Sequence, residues 1–305
     1  MRLLVTGGAG FLGAAIVSAA VRSGWSVSVL ARQAVPARLN GVANAIRLHQ
    51  VDLADREHVR AVLARAAPDV VVHSAWAGLS GASRSSSDQV TANLLPTLRL
   101  VEDAAAAGAS KFIGIGSQAE YGLLERRISE EDKPAPNSFY GAAKLAALHL
   151  GRAAAAQTDM AFAWLRLFAA YGPGDNPHWL IPGVVERMLG GDSPALTSGT
   201  QRWDYLYVDD AARGVVAVAE TSGATGVFNL SSGQAETVRS VVERLRSFVA
   251  PDLPLRFGAV PFGPNQIMHM EGDNQRLTQA TGWHPLTSLD DGLALTVAAI
   301  RAART

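Results

Sequence analysis

The stretch RLLVTGGAGFLG, Arg2 to Gly13, runs from an apolar strand pattern through a cluster of glycines into a helix pattern. Gly7, Gly10 and Gly13 fit G-x-x-G-x-x-G, and Gly8, Gly10 and Gly13 also fit G-x-G-x-x-G. Such a turn lets backbone approach a pyrophosphate closely, seats that anion on a helix N-terminus and packs the helix tightly on the strand. Placed between a strand and a helix, it predicts a dinucleotide site built from Gly7, Gly10, Phe11, Leu12 and Gly13.

Outward from this turn the chain alternates. RLLVT (2–6), SVSVLA (26–31), DVVVHSA (69–75), KFIGIGS (111–117) and AFAWLRLF (161–168) read as strands, with AIRL (45–48) a weaker candidate. They are mostly apolar throughout, as strands buried on both faces are. Helical patterns fall between them at about 11–23, 55–66, 90–107 and 139–157. The expectation is an α/β fold, a Rossmann-type doubly wound parallel sheet with a smaller C-terminal α/β substrate lobe. The dinucleotide-binding domain is expected over 1–171, with one or more later returns of the chain at about 204–232, and the substrate lobe mainly over 172–305. SGASRSSSDQ (80–89) reads as a flexible loop near the site.

Composition narrows the partners. The 305 residues carry 27 basic and 27 acidic side chains, so no basic excess points to nucleic acid or an anionic membrane. No cysteine is present, and the seven histidines show no pair at ligand spacing, so no metal site is expected. With no run of about 18 apolar residues and no signal-peptide pattern, the reading is cytoplasmic.

The second strand ends in Ala31 and Arg32, where a carboxylate would grip the adenosine ribose. An arginine there can pair with a 2′-phosphate, which favours NADP over NAD; a solvated surface arginine is the bland alternative. Asp52, with Leu53 beside it, follows the third strand where a side chain could meet adenine, while Asp55 reads better as a helix N-cap. In NSFYGAAKLAALHLG (137–151), Tyr140 and Lys144 share a helix face, four residues apart. They are an ordinary amphipathic pair, or a catalytic one in which the ammonium lowers the phenol pKa.

The glycine turn, HSAW (73–76), GSQAEYG (116–122), YGAAK (140–144), LRLFAAYGPGD (165–175) and WDYLYVDD (203–210) together resemble the extended short-chain dehydrogenase/reductases, the nucleotide-sugar epimerase/dehydratase superfamily. The resemblance spans nearly the whole chain, in order. It implies that Tyr140 exchanges a proton with a sugar oxygen, that Ser117 hydrogen-bonds the same oxygen, and that Lys144 holds the nicotinamide ribose. Ala75 joins the cofactor residues, and Trp76, Gln118, His178, Arg202 and Trp203 are the candidate substrate contacts. It also implies a homodimer through a four-helix bundle of the helices at 90–107 and 139–157.

Departures from the pattern carry the finer reading. Dehydratases of the superfamily have Thr-Asp-Glu where this chain has Ser117, Gln118 and Ala119, and Glu120 is displaced by one residue. Ala169 stands where many members have an asparagine. Trp203 stands before Asp204-Tyr205 where many have an arginine, with Arg202 moved back by one; one residue flips the face of a strand, so Trp203 either packs the lobe or stacks on a base or sugar. NQIMHM (265–270), before a closing GWHP (282–285), resembles C4-ketoreductases of nucleotide-linked deoxysugars, the CDP-abequose synthase type among them. The expectation is an NADP-dependent reductase of a nucleotide-activated 4-keto-deoxysugar. A 4-epimerase that retains NAD is the alternative, and a non-catalytic dinucleotide-binding redox sensor is the reading from another class.

Overall fold

The computed structural model describes residues 1–32, 37–79, 81–263 and 266–304. Ser80 and Asn265, which open two of the stretches read above, lie outside them. One sheet holds β1 (Arg2–Thr6), β2 (Ser26–Ala31), β3 (Ile46–Gln50), β4 (Val70–His73), β5 (Lys111–Ser117), β7 (Ala161–Leu167) and β10 (Gly226–Leu230), in the order β10-β7-β5-β4-β1-β2-β3. All its pairings are parallel. The doubly wound expectation holds, and the 45–48 candidate is a full strand.

Side chains alternate between the two faces of each strand. In β1, Leu3 and Val5 join the core under α1 (Phe11–Arg22) and α6 (Val208–Glu220). Leu4 joins the opposite core under α2 (Arg56–Ala66), α3 (Leu95–Ala106) and α4 (Phe139–Ala155). The fully apolar strands of the sequence are therefore strands covered by helices on both sides. Strand order reverses between β1 and β4, so the carboxyl ends of β1, β4 and β5 border the crevice where ligands bind in such sheets.

A second sheet runs β11 (Ala235–Thr237), β9 (Arg202–Tyr207), β12 (His269–Gly272), β6 (Arg126–Ile128), with β8 (Ala169–Tyr171) pairing β9. Beneath it, α5 (Leu180–Leu189), α7 (Val238–Val249) and α9 (Leu289–Ala302) enclose a third core around Val185, Val241, Leu245 and Leu293. The short α8 (Gln275–Thr281) packs against β10 through the buried Leu277. Asp204 of β9 is fully buried and accepts hydrogen bonds from the amides of Ser232, Gly233 and Gly272, which ties β9 to the turn after β10 and to β12. No helix among the described residues is long and apolar enough to cross a membrane, and these residues hold no acidic or histidine cluster able to bind a metal.

Candidate active site

The glycine turn is held by contact, not by side chains. Gly7 has φ +70°, and a Cβ there would lie 2.5 Å from the Ala75 amide nitrogen; one on Gly13 would lie 2.1 Å from the Gly7 carbonyl oxygen. Only glycines let the end of β1, the end of β4 and the first turn of α1 meet this closely. Gly10, the N-cap of α1, offers no capping side chain, and the first turn holds no acidic residue. The free N–H groups at Phe11 and Leu12 and the helix dipole suit an anion, so this cradle fits the pyrophosphate of a dinucleotide. His73 closes β4 beneath it, with Nδ1 2.7 Å from Thr6 Oγ1 and Nε2 2.9 Å from Thr97 Oγ1.

The residues read as adenosine contacts follow β2 and β3. Arg32 is exposed, and its carbonyl accepts a 3.2 Å bond from Gln50 Nε2. Asp52 is also exposed and accepts from the Ala54 amide, Leu53 packs against the core beneath, and Asp55 caps α2 by accepting from the His58 amide.

At the end of β5, Ser117 caps a single turn, Gln118–Glu120. Its Oγ donates to Gln118 Oε1 at 2.8 Å and accepts from the Ala119 amide. Glu120 turns inward: it accepts from the Ser117 amide, from Trp164 Nε1 and from Arg166 Nε. The one-residue displacement read in the sequence sends this carboxylate beneath the sheet. Across from the turn, Ser138 caps α4 by accepting from the Gly141 amide. A Cβ on Gly141 would come within 2.4 Å of the Ala119 carbonyl oxygen, so this glycine lets the head of α4 lie directly on the Ser117 turn. That contact brings Tyr140 to Ser117.

Burial raises the Tyr140 phenol above its ordinary value, while the Ser117 hydroxyl and the Arg84 guanidinium pull it down. The sequence reading gives a share of that downward pull to Lys144, four residues further along α4. The lysine donates from Nζ to the Ile115 carbonyl at 2.5 Å and lies 3.7 Å from the centre of the Trp76 ring. Burial pushes this ammonium down to about 7. Spacing four residues apart puts the two side chains on one face of α4, and the length of lysine lets its ammonium reach β5.

A cleft of about 340 Å³ opens beside this group, lined among others by Arg84, Gln118, Asn137, Ser138, Trp203 and Met270. Gln118 and Trp203 thus stand in it, as candidates for substrate contact. Arg202 does not: it is exposed and donates to the Ala235 carbonyl on the neighbouring strand, the opposite face from Trp203. Nor does His178, which is exposed in the turn before α5, its amide donating to Asn176 Oδ1. Trp76 lies behind the cleft, edge-on to Tyr140 and donating to Gln89 Oε1. Sequence reasoning missed Arg84, which sits in a serine-rich run with no periodicity to mark it.

The model of the NAD dependent epimerase/dehydratase family matches residues 3–231. The chain is 30% identical to a dTDP-glucose 4,6-dehydratase of Streptomyces griseus, covering 97% of this chain and 93% of that protein. It is also 30% identical to a UDP-glucose 4-epimerase of Mycolicibacterium smegmatis, covering 97% of each. Among solved structures it superposes on a Thermotoga maritima UDP-glucose 4-epimerase with UDP-glucose at TM-score 0.90, 26% identity and full coverage of both chains. A Thermus thermophilus UDP-glucose 4-epimerase in complex with NAD gives TM-score 0.89 and 28% identity, over 99% of this chain and 100% of that one.

Proposed function

The chain belongs to the NAD dependent epimerase/dehydratase family, within the extended short-chain dehydrogenase/reductases, and on that premise we propose that it reduces the C4 carbonyl of a nucleotide-activated 4-keto-deoxysugar. Arg32 after β2 favours an NADPH-using reductase over an epimerase that retains NAD, and a second observation argues against dehydration. The turn after β5 presents Ser117, Gln118 and Ala119, while its sole carboxylate, Glu120, is turned away and paired with Arg166. Elimination of water needs an acid and a base beside the sugar. This turn supplies neither, but it keeps the serine, tyrosine and lysine that carbonyl reduction uses.

In this reading the glycine turn would hold NADPH, which when bound would supply hydride to the carbonyl carbon. Tyr140 gives its phenolic proton to the oxygen, leaving a phenolate that solvent reprotonates, and the product is a C4 hydroxyl. Ser117 donates a hydrogen bond to the same oxygen as negative charge grows on it. Lys144, bonded here to the Ile115 carbonyl of β5, is assigned the ribose. Gln118 and Trp203 face the sugar, and Arg32 selects the 2′-phosphate of NADPH.

A second reading, the 4-epimerase, is favoured by the likeness to two UDP-glucose 4-epimerases, one of them solved with NAD. It uses the same Ser117, Tyr140 and Lys144 but returns the hydride to the opposite face. The deciding experiment is to release and identify any nicotinamide carried by the purified protein, then supply NADPH with 4-keto-6-deoxy nucleotide sugars. Stoichiometric oxidation of added NADPH supports the reductase. Tightly retained NAD, with interconversion of UDP-glucose and UDP-galactose, overturns it in favour of the epimerase. The assembly proposed with this function is a homodimer through α3 and α4, which leave Leu95 and Leu150 at 41% and 43% exposure. A monomer by light scattering at micromolar concentration would contradict it.

A further inference from the structure

The turn Gly81–Ser85 places one cation on the proton donor. Arg84 Cζ lies 4.1 Å from the centre of the Tyr140 ring, and of the described side chains lining the cleft it alone is charged. We propose that Arg84 is a positioning residue for proton transfer: its guanidinium, stacked on the Tyr140 ring, stabilises the phenolate that forms when the hydroxyl proton leaves. The inference rests on the reading of Tyr140 as the proton donor given above.

Three features of the geometry support it. The segment that carries Arg84 is anchored. Gln89, only 2% exposed, donates to the carbonyls of Gly78 and Ser83 and accepts from Trp76 Nε1, while Arg84 itself donates to the Leu79 carbonyl at 3.1 Å. The same Trp76 stands edge-on to Tyr140, so segment and phenol share one support. Finally, the other charged groups around the phenol have partners of their own. Lys144, on the same helix, is bonded to Ile115, and Glu120, from the β5 turn, is paired with Arg166 from β7. A cation on an aromatic face favours the anionic ring over the neutral one. The Arg84 guanidinium is among the groups that pull the phenol down, whereas Glu120 pushes it up.

The test compares wild type with Arg84→Met and Arg84→Lys, alone and combined with Tyr140→Phe. In Arg84→Met, kcat should fall at least tenfold with KM little changed, and Arg84→Lys should recover part of the loss. In the Tyr140→Phe background, Arg84→Met should add almost nothing, because its effect passes through the phenol. Tyrosine labelled with ¹³C at Cζ gives a readout free of turnover, with Tyr140→Phe assigning the signal. Loss of Arg84 should move the Tyr140 midpoint upward by about one pH unit, roughly a tenfold smaller ionised fraction at a fixed pH below it. An unmoved midpoint in folded Arg84→Met protein would overturn the inference, as would a kcat loss that simply adds to that of Tyr140→Phe. If the midpoint moves but no nucleotide sugar is reduced, the inference about Arg84 stands and the proposed substrate falls.

Discussion

Arg166 and Glu120 form an ion pair, Nε to Oε2, at 2.8 Å, with the two side chains 3% and 0% exposed. The same carboxylate accepts from Trp164 Nε1 and from the Ser117 amide, so it fixes the end of β5 from beneath. Removing one partner leaves an uncompensated buried charge, which costs about 3–5 kcal/mol. Arg166→Met and Glu120→Ala should each lower the unfolding free energy, read from urea denaturation, by amounts in that range. The double variant should lose less than the sum of the two. If Glu120→Ala is stable and loses only activity, the carboxylate is an acid of the reaction and the structural account is wrong.

Tyr140→Phe removes the proposed proton donor and little else. Turnover should fall by about 10²–10⁴-fold while NADPH still binds, as measured by fluorescence titration of the cofactor. Lys144→Met should harm both turnover and cofactor binding, since the lysine is assigned the ribose as well. Near wild-type turnover in Tyr140→Phe would remove the mechanism.

Arg32→Ala tests cofactor choice. Loss of a charge-assisted contact with a 2′-phosphate, about 1.5–3 kcal/mol, should raise KM for NADPH roughly ten- to hundred-fold and leave KM for NADH little changed. Equal changes for both cofactors would show that this exposed side chain does not read the phosphate.

His73 makes stability depend on acid. Burial, followed by the charge on Lys144, pushes its imidazole down to about 3, against about 6.5 in an unfolded chain. Below pH 6.5 the unfolded chain takes up a proton that the folded ring refuses. The stabilisation is therefore complete above about 6.5 and is lost as pH falls toward 3. Lys144, itself at about 7, stays charged through this window. Urea midpoints across it should fall less steeply for His73→Gln than for wild type, and parallel slopes would show that the imidazole is already protonated in the fold.

The sheet was legible in the sequence because its causes are local. Apolar runs of strand length, helical spacing between them and a glycine cluster at one junction each impose a backbone outcome within a few residues. The same holds for the nearness of Tyr140 to Lys144, which follows from the pitch of one helix. The displaced Glu120 was also readable, since a one-residue shift in so tight a turn turns a side chain away.

What only the tertiary structure decided is where each charge goes once distant segments meet. The Lys144 ammonium reaches a carbonyl of β5, a contact 29 residues away in sequence. Arg84, from a run without pattern, comes to lie on a ring 56 positions later, because Gln89 and Trp76 pin its segment beside α4. Trp203 faces the cleft and Arg202 does not, because β9 is held between β11 and β12 in one register. Periodicity states which face of an element is apolar. It does not state which long, flexible side chain will find which partner, because that depends on packing between elements that the chain brings together only when it folds.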